Sequence, residues 1–373
     1  MHITFVSNYI NHHQLPLSEE LYRLTGGDYT FLQTEPMSEE RIRMGWDPEL
    51  SKKPYVKVVE DKEEAKRIIL ESENVIFAGA EDESLVIPRL EAGKFTVRYS
   101  ERLYKEGRWK FISPRGLKQK HYDHTRFKDH PVYMLCAGAY TAGDFRLVHA
   151  YPGKMYKFGY FPEFVEYADV HAKRRSETVE ILWAARFIDW KHPEMPVSLA
   201  AGLKGSGYPF HITMVGDGEL LEKTKAGAKE LGVDDVITFT GSKTPPEVRE
   251  CMLKADIFVA SSDAREGWGA VINEAMNSGC AVIASREMGA APWLIKDGVN
   301  GYLYKACHKE ELYHRVAEAI EDPEKRAEIG TRAYETIRDL WNAHVAAERL
   351  VAFINDPEHK MPEYDDGPLS RAE

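Results

Sequence analysis

The stretch Ser261-Ser262-Asp263-Ala264-Arg265-Glu266-Gly267-Trp268-Gly269-Ala270-Val271-Ile272-Asn273-Glu274-Ala275-Met276 decides the fold. It follows a short apolar run, Asp256 to Ala260, that reads as a strand, and it leads through a Gly-x-Gly turn into a helical pattern over 269–278. In a doubly wound α/β domain, the carboxyl end of a strand and the next helix N-terminus form the ligand crevice. The N–H groups and dipole at such a terminus favour a phosphate. Gly267 and Gly269 carry no side chain, so the backbone there can approach an anion closely. Glu266 on the turn and Glu274 in the helix flank this site. A phosphate repels carboxylates, so these two groups suit the hydroxyls of a sugar instead.

Outward from this stretch, short apolar runs alternate with helical patterns. Strands are predicted at 179–184, 210–215, 235–240, 256–260 and 280–284. Helices are predicted at 194–204, 219–231, 245–254, 308–321 and 324–340. In the first half, strands are predicted at 2–7, 29–34, 55–59, 74–79, 95–99 and 132–136, with a helix from Pro16 to Leu24. This alternation implies parallel sheets with helices on both faces. The turn-forming stretch Tyr151 to Pro162 and the charged run His171 to Glu177 suggest a domain boundary within 150–178. The expected division is 1–165 and 166–340, with a polar, proline-containing loose tail at 356–373.

The 373 residues suit two domains. A hydrophobic fraction of 43% excludes a disordered chain, and a net charge of −11 argues against a general nucleic-acid partner. No apolar run reaches the ~18 residues of a membrane span. The opening His2-Ile3-Thr4-Phe5-Val6 reads as a strand with no basic leader, so a signal peptide is not expected and a cytoplasmic location is. Cys136, Cys251, Cys280 and Cys307 form no C-x-x-C pair and read as buried thiols.

Glu266, seven residues and Glu274, within Glu-Gly-Trp-Gly-Ala-Val-Ile-Asn-Glu-Ala-Met-Asn-Ser-Gly, resemble the E-x7-E signature of the retaining glycosyltransferases of family four, the glycosyl transferases group 1. The resemblance implies the GT-B fold, two Rossmann-like domains facing across a cleft, with a crossover helix at about 341–355 returning to the N-terminal domain. It implies that Glu274 binds the ribose of a nucleotide sugar and that Glu266 lies by the reacting sugar. The amides of Gly269, Ala270 and Val271 would hold the diphosphate. Trp268 stands where the family usually has Phe.

Further motifs fall in the family's order. Ala185-Arg186-Phe187-Ile188-Asp189-Trp190-Lys191-His192-Pro193 resembles its Arg…Lys phosphate segment, with Lys-His in place of the usual Lys-Gly. A diphosphate leaving group gains charge as the glycosidic bond breaks, and a fixed Arg and Lys stabilise that charge most in the transition state. Val215-Gly216-Asp217-Gly218-Glu219 resembles the G-x-G loop beside the donor, and Phe239-Thr240-Gly241 the strand end that faces the base. The implied catalytic set is Glu266, Arg186 and Lys191. No Asp-x-Asp stands at a strand end, so no metal or other cofactor is expected.

The N-terminal half is the expected acceptor side. Asn8-Tyr9-Ile10-Asn11-His12-His13-Gln14 replaces the glycine-rich loop of many relatives, and Phe95 to Arg102 lacks their usual histidine. Asn11, His12, His13, Ser100 and Glu101 are the acceptor-side candidates. Residues 98–128 hold ten Lys/Arg against three Asp/Glu, interleaved with aromatics. Such a segment suits an anionic membrane surface or an anionic acceptor, with Arg115, Lys118 and Lys120 placed in a loop. The expected activity is transfer of a sugar from a nucleoside-diphosphate sugar to a glycan or lipid-linked hydroxyl, in surface polysaccharide or lipopolysaccharide synthesis. The alternatives are a GT-B nucleotide-sugar epimerase and a non-catalytic sugar-binding protein.

Overall fold

The computed structural model describes residues 1–43, 45–80, 82–107, 113–172, 178–356, 358 and 363–372. The chain divides into two compact units, Met1–Glu163 with Trp341–Glu373, and Phe164–Leu340.

Among the described residues of the first unit, seven strands form one parallel sheet. They are β1 Ile3–Ser7, β2 Tyr29–Gln33, β3 Val56–Val58, β4 Asn74–Ala78, β5 Thr96–Ser100, β6 Val132–Ala137 and β7 Met155–Phe158, in the order β3-β2-β1-β4-β5-β6-β7. β1 and β4 are buried at every position. Parallel strands covered by helices on both faces are unbroken apolar runs for this reason. The order reverses between β1 and β4, which places a crevice at their carboxyl ends.

Two expectations for this unit change. The turn-forming stretch 151–162 holds a strand the sequence reading passes over, β7, which pairs with β6 from Met134↔Met155 to Ala137↔Phe158. The tail is not loose at its far end. Leu369 is fully buried, its N–H donates to the Lys157 carbonyl at 2.8 Å, and the Lys157 N–H donates to the Ser370 carbonyl at 2.8 Å. Arg349 donates to the Asp366 and Pro368 carbonyls, both at 2.7 Å. This segment covers the edge that β7 would otherwise leave unpaired. The helix Ala343–Asn355, capped by Asn342, packs on the helix Leu15–Leu24 and sets Phe353 against Phe95 and Tyr133.

Among its described residues, the second unit carries a six-stranded parallel sheet: β8 Val179–Ala184, β9 Phe210–Val215, β10 Ile237–Gly241, β11 Ile257–Ala260, β12 Ala281–Ser285 and β13 Tyr302–Tyr304. Its order is β10-β9-β8-β11-β12-β13, so the reversal lies between β8 and β11. β13 is a strand the sequence reading passes over. Trp183, Phe187, Met214, Ile257 and Val259 sit in the core beneath the sheet's helices. Burial at about 25 cal/mol per Å² of apolar surface holds the strand ends that carry the site in place. The helix Pro245–Lys254 starts at a capping box in which Thr244 and Glu247 bond reciprocally.

Candidate active site

The two segments singled out by sequence emerge side by side at the reversal point of the second sheet. Residues 185–193 follow β8, and residues 261–270 follow β11. Hydrogen bonds from backbone and side chains stitch them. The Asp263 N–H donates to the Trp190 carbonyl at 3.0 Å, and Ser261 Oγ donates to the Lys191 carbonyl at 2.6 Å while accepting from Trp183 Nε1 at 2.8 Å.

This stitching brings together two of the three expected catalytic groups. The Lys191 ammonium is ion-paired with the Glu266 carboxylate, both largely shielded from solvent. Arg186 is exposed and lies over the Trp190 ring, 5.6 Å from its centroid. A carboxylate and a cation are thus held in contact on adjoining loops.

The glycines of the G-x-G loop have a definite reason. Gly216 has φ of 136°, and a Cβ there would lie 1.9 Å from the Ala185 carbonyl oxygen. At Gly218 the φ is 149° and the Cβ would meet the Phe187 carbonyl at 2.6 Å. The loop crosses directly over the Arg186 segment, and Phe187 N–H donates to the Asp217 carbonyl at 2.8 Å. Asp217 is exposed, and its carboxylate accepts from the Gly218 N–H at 2.7 Å. Thr240 Oγ1 donates to the Gly241 carbonyl at 3.1 Å.

On the turn after β11, Gly269 has φ of 93°, and a Cβ there would meet Met288 Cε at 2.6 Å. Gly267 is buried. The helix spans Val271–Asn277, shorter than expected, and no side chain caps it at Ala270. Glu274 stands on its first turn. Burial pushes the Glu274 carboxyl up to about 7, against a smaller pull downward from Arg249. An acid poised there ionises readily when hydroxyls donate to it.

One donor-side expectation is corrected. The Trp268 side chain is fully buried, with Nε1 donating to Asn273 Oδ1 at 2.9 Å. Its ring is core, and offers no surface to a donor.

In the first unit, a cavity of about 220 Å³ opens at the carboxyl ends of β4 and β5, where Ser100 and Glu101 meet Gln14, Glu83, Arg98 and Tyr160. The Tyr160 hydroxyl donates to Glu101 at 2.9 Å, and Arg98 is paired with Glu83. Beside it, His13 stacks on Tyr160, with centroids 6.1 Å apart, and His12 meets Trp46 edge-on at 4.9 Å. Asn11 caps the next turn, accepting from the His13 N–H at 3.0 Å. Burial pushes the His13 ring well down, to about 3, and lowers His12 as well, so both stay neutral at physiological pH. Sequence reasoning missed Glu83, Arg98, Tyr160 and Trp46. An arginine inside the apolar run Thr96–Ser100 was the available signal.

The basic segment 98–128 is less free than its composition suggests. Arg98 pairs with Glu83, Arg102 with Asp144, Lys105 with Glu101 and Arg126 with Glu91. Arg115, Lys118 and Lys120 belong to the helix Pro114–Asp123, not to a loop, because Ser113 caps it and Pro114 opens it. Trp109, Phe111 and Ile112 lie outside the described residues, as do residues 173–177 of the charged run. Cys307 is exposed, unlike the buried thiols expected of all four cysteines. Among the described residues, no helix is long and apolar enough to cross a membrane, and no cluster of three His, Cys, Asp or Glu could hold a metal ion.

Two doubly wound units, each on a parallel sheet, make up the GT-B class of fold. Residues 168–336 match the family model described as glycosyl transferases group 1. Over its length it is similar to the crystal structure of Anabaena HepE in complex with UDP, with a TM-score of 0.69, 16% identity, and 94% of this chain and 98% of that one covered. It is 25% identical over 187 residues to the GDP-mannose-dependent α-(1-6)-phosphatidylinositol monomannoside mannosyltransferase of Mycobacterium tuberculosis, covering 48% of each chain. It is 34% identical over 129 residues to the D-inositol 3-phosphate glycosyltransferase of Corynebacterium glutamicum, covering 35% of this chain and 30% of that one. The alignments thus span about half the length or less of these curated relatives.

Proposed function

We propose that the chain is a glycosyltransferase that moves a sugar from a nucleoside-diphosphate sugar to a hydroxyl of a glycan or lipid-linked acceptor. The observation that carries the reading is the contact of Lys191 with Glu266 at the β8/β11 reversal, with Arg186 and Glu274 on the same two segments. Glu274 accepts hydrogen bonds from the ribose hydroxyls. Lys191 and Arg186 neutralise the diphosphate as the glycosidic bond breaks, which is where fixed charge lowers the barrier most. Glu266, released from Lys191 by the phosphate, accepts from the donor sugar's hydroxyls and lies by the carbon that reacts. The acceptor hydroxyl passes its proton to the departing phosphate, and the anomeric configuration is retained. Two cations in place of a bound divalent ion make the transfer independent of metal.

The UDP bound by HepE and the GDP-mannose named for the mycobacterial enzyme support a nucleotide-sugar donor, and the mycobacterial enzyme's lipid substrate supports a lipid-linked acceptor. The cavity lined by Ser100, Glu101, Gln14 and Tyr160 is the acceptor pocket, since carboxylate, amide and aromatic groups together suit a sugar ring. Exposed Arg115 and Lys118, with half-exposed Tyr122, suit an anionic membrane surface. The test is a product assay with radiolabelled nucleotide sugars in excess EDTA. Label transferred to an acceptor is expected. Conversion of the donor without acceptor, or activity restored only by Mg²⁺ or Mn²⁺, would refute the reading.

A further inference from the structure

His192, which follows Lys191, has a backbone in the left-handed region, with φ 50° and ψ 60°. Side chains other than glycine, asparagine and aspartate enter that region at a cost, and such strain gathers at functional sites. Its ring is well shielded and both nitrogens are used. Nδ1 lies 2.9 Å from Glu194 Oε1, and Nε2 lies 3.2 Å from Asp263 Oδ2, with Cys307 Sγ 3.3 Å from Nε2. Asp263 belongs to the loop after β11 and is itself held rigidly. It accepts from the Arg265 guanidinium at 2.7 Å, Arg265 donates to Asp189 at 2.6 Å, and the Glu266 N–H donates to the Asp263 carbonyl at 3.0 Å.

Three side-chain bridges therefore join the same two loops. One is Lys191 to Glu266, made by the groups that the proposed transfer needs elsewhere. Another, one residue along, is His192 to Asp263, and the third is Arg265 to Asp189, both made by groups that the transfer does not use. When a donor phosphate draws Lys191 away from Glu266, the first bridge breaks. The His192–Asp263 bridge, adjacent to the broken one, remains with the Arg265–Asp189 pair to hold the loops in register. We infer that His192 is a positioning residue that ties the Lys191 loop to the Glu266 loop while the donor separates that pair.

The charges around the ring agree. Glu194 first, then Asp263, raise the affinity of His192 for a proton above the ordinary value, against a smaller desolvation effect. Lys309 faces Glu194, Arg265 faces Asp263, and the Cys307 thiol beside the ring is held in its neutral form. A doubly protonated ring donates to both carboxylates at once. As the pH rises through the raised pKa one donor is lost and the bridge weakens.

The inference rests on the transferase reading, and its test includes an arm that does not. His192→Gly removes the bridge and relieves the left-handed strain, so its melting temperature is expected not to fall. His192→Asn tolerates the same backbone and keeps an amide donor for Asp263. In the Gly variant, kcat for transfer should drop at least ~10-fold with donor KM little changed, because a small misplacement of catalytic groups is costly. Amide exchange at Asp263 and Glu266 should accelerate by a similar factor. The Asn variant should recover most of both, and should lack the alkaline decline of kcat expected of the wild type. Wild-type kcat and wild-type exchange in the Gly variant would overturn the inference. If the Gly variant melts early, an Asn variant with the alkaline limb of the wild type overturns it instead. A wild type that transfers no sugar at all refutes the transferase, while the exchange arm still decides the role of His192.

Discussion

Replacing Glu274 by glutamine should make the protein more stable and worse at binding nucleotide. The side chain keeps its size and loses its charge. In the folded chain the carboxyl has a pKa of about 7, against 4.5 for the free group. Below pH 4.5 the group is protonated whether folded or unfolded, and burial carries no ionisation penalty. Between 4.5 and 7 the unfolded chain releases the proton more readily, so the folded state loses stability as pH rises. Above 7 the loss is complete. At 1.36 kcal/mol per unit the difference is at most about 3 kcal/mol, and less where water screens the part-exposed carboxyl. Glu274→Gln should therefore raise the melting temperature at pH 8 by up to roughly 5–10 °C for a unit of this size, and much less at pH 5. In the proposed ribose role the same change also removes charge-assisted hydrogen bonds, each worth about 1.5–3 kcal/mol, so affinity should fall about 10- to 100-fold. Differential scanning fluorimetry at the two pH values and isothermal titration with the preferred nucleoside diphosphate measure both. A variant no more stable at pH 8 than wild type, or one that binds nucleotide equally well, refutes the reasoning.

Lys191→Ala or Arg186→Ala should each cut transfer by at least ~10²-fold, since one preorganised electrostatic donor is typically worth ~2.7–4 kcal/mol, and circular dichroism should show the fold intact. Near-normal turnover in either would remove that residue from the phosphate clamp. The wild type should co-sediment with anionic vesicles at low salt and release at high salt, and charge reversal at Arg115, Lys118 and Lys120 should abolish this. Equal binding to neutral vesicles would exclude a role for that helix's charge.

The sites that sequence exposed best are those set by local spacing. Glu266 and Glu274 are eight positions apart across one turn, and a strand, a glycine turn and a helix make that turn recognisable. Gly216 and Gly218 were equally visible, although the cause, two backbones crossing at the Arg186 segment, was not. What sequence hid depends on distant parts of the chain. The Lys191–Glu266 pair joins residues 75 apart, and Arg98 finds Glu83 only because β4 and β5 are neighbours. β7 escaped because it has four residues and lies among turn formers and aromatics that read as a domain boundary. The tail misled because its composition is polar, while its attachment depends on one buried leucine, Leu369, and on main-chain bonds that any composition can make. Trp268 resembled a site residue by position, yet a hydrogen bond to Asn273 fixes it in the core.

The central claim is that the second unit holds a nucleotide sugar through Glu274 and the β8/β11 loops. The most direct measurement is a thermal-shift titration of wild type and Glu274→Ala with UDP, GDP, ADP and their sugars. A ligand that binds only the folded state stabilises it by about 2.7 kcal/mol at a hundred times its Kd. One nucleoside diphosphate should raise the wild-type melting temperature by several degrees, and the shift should be largely lost in Glu274→Ala. No shift with any nucleotide at millimolar concentration, or the same shift in both proteins, would contradict the account.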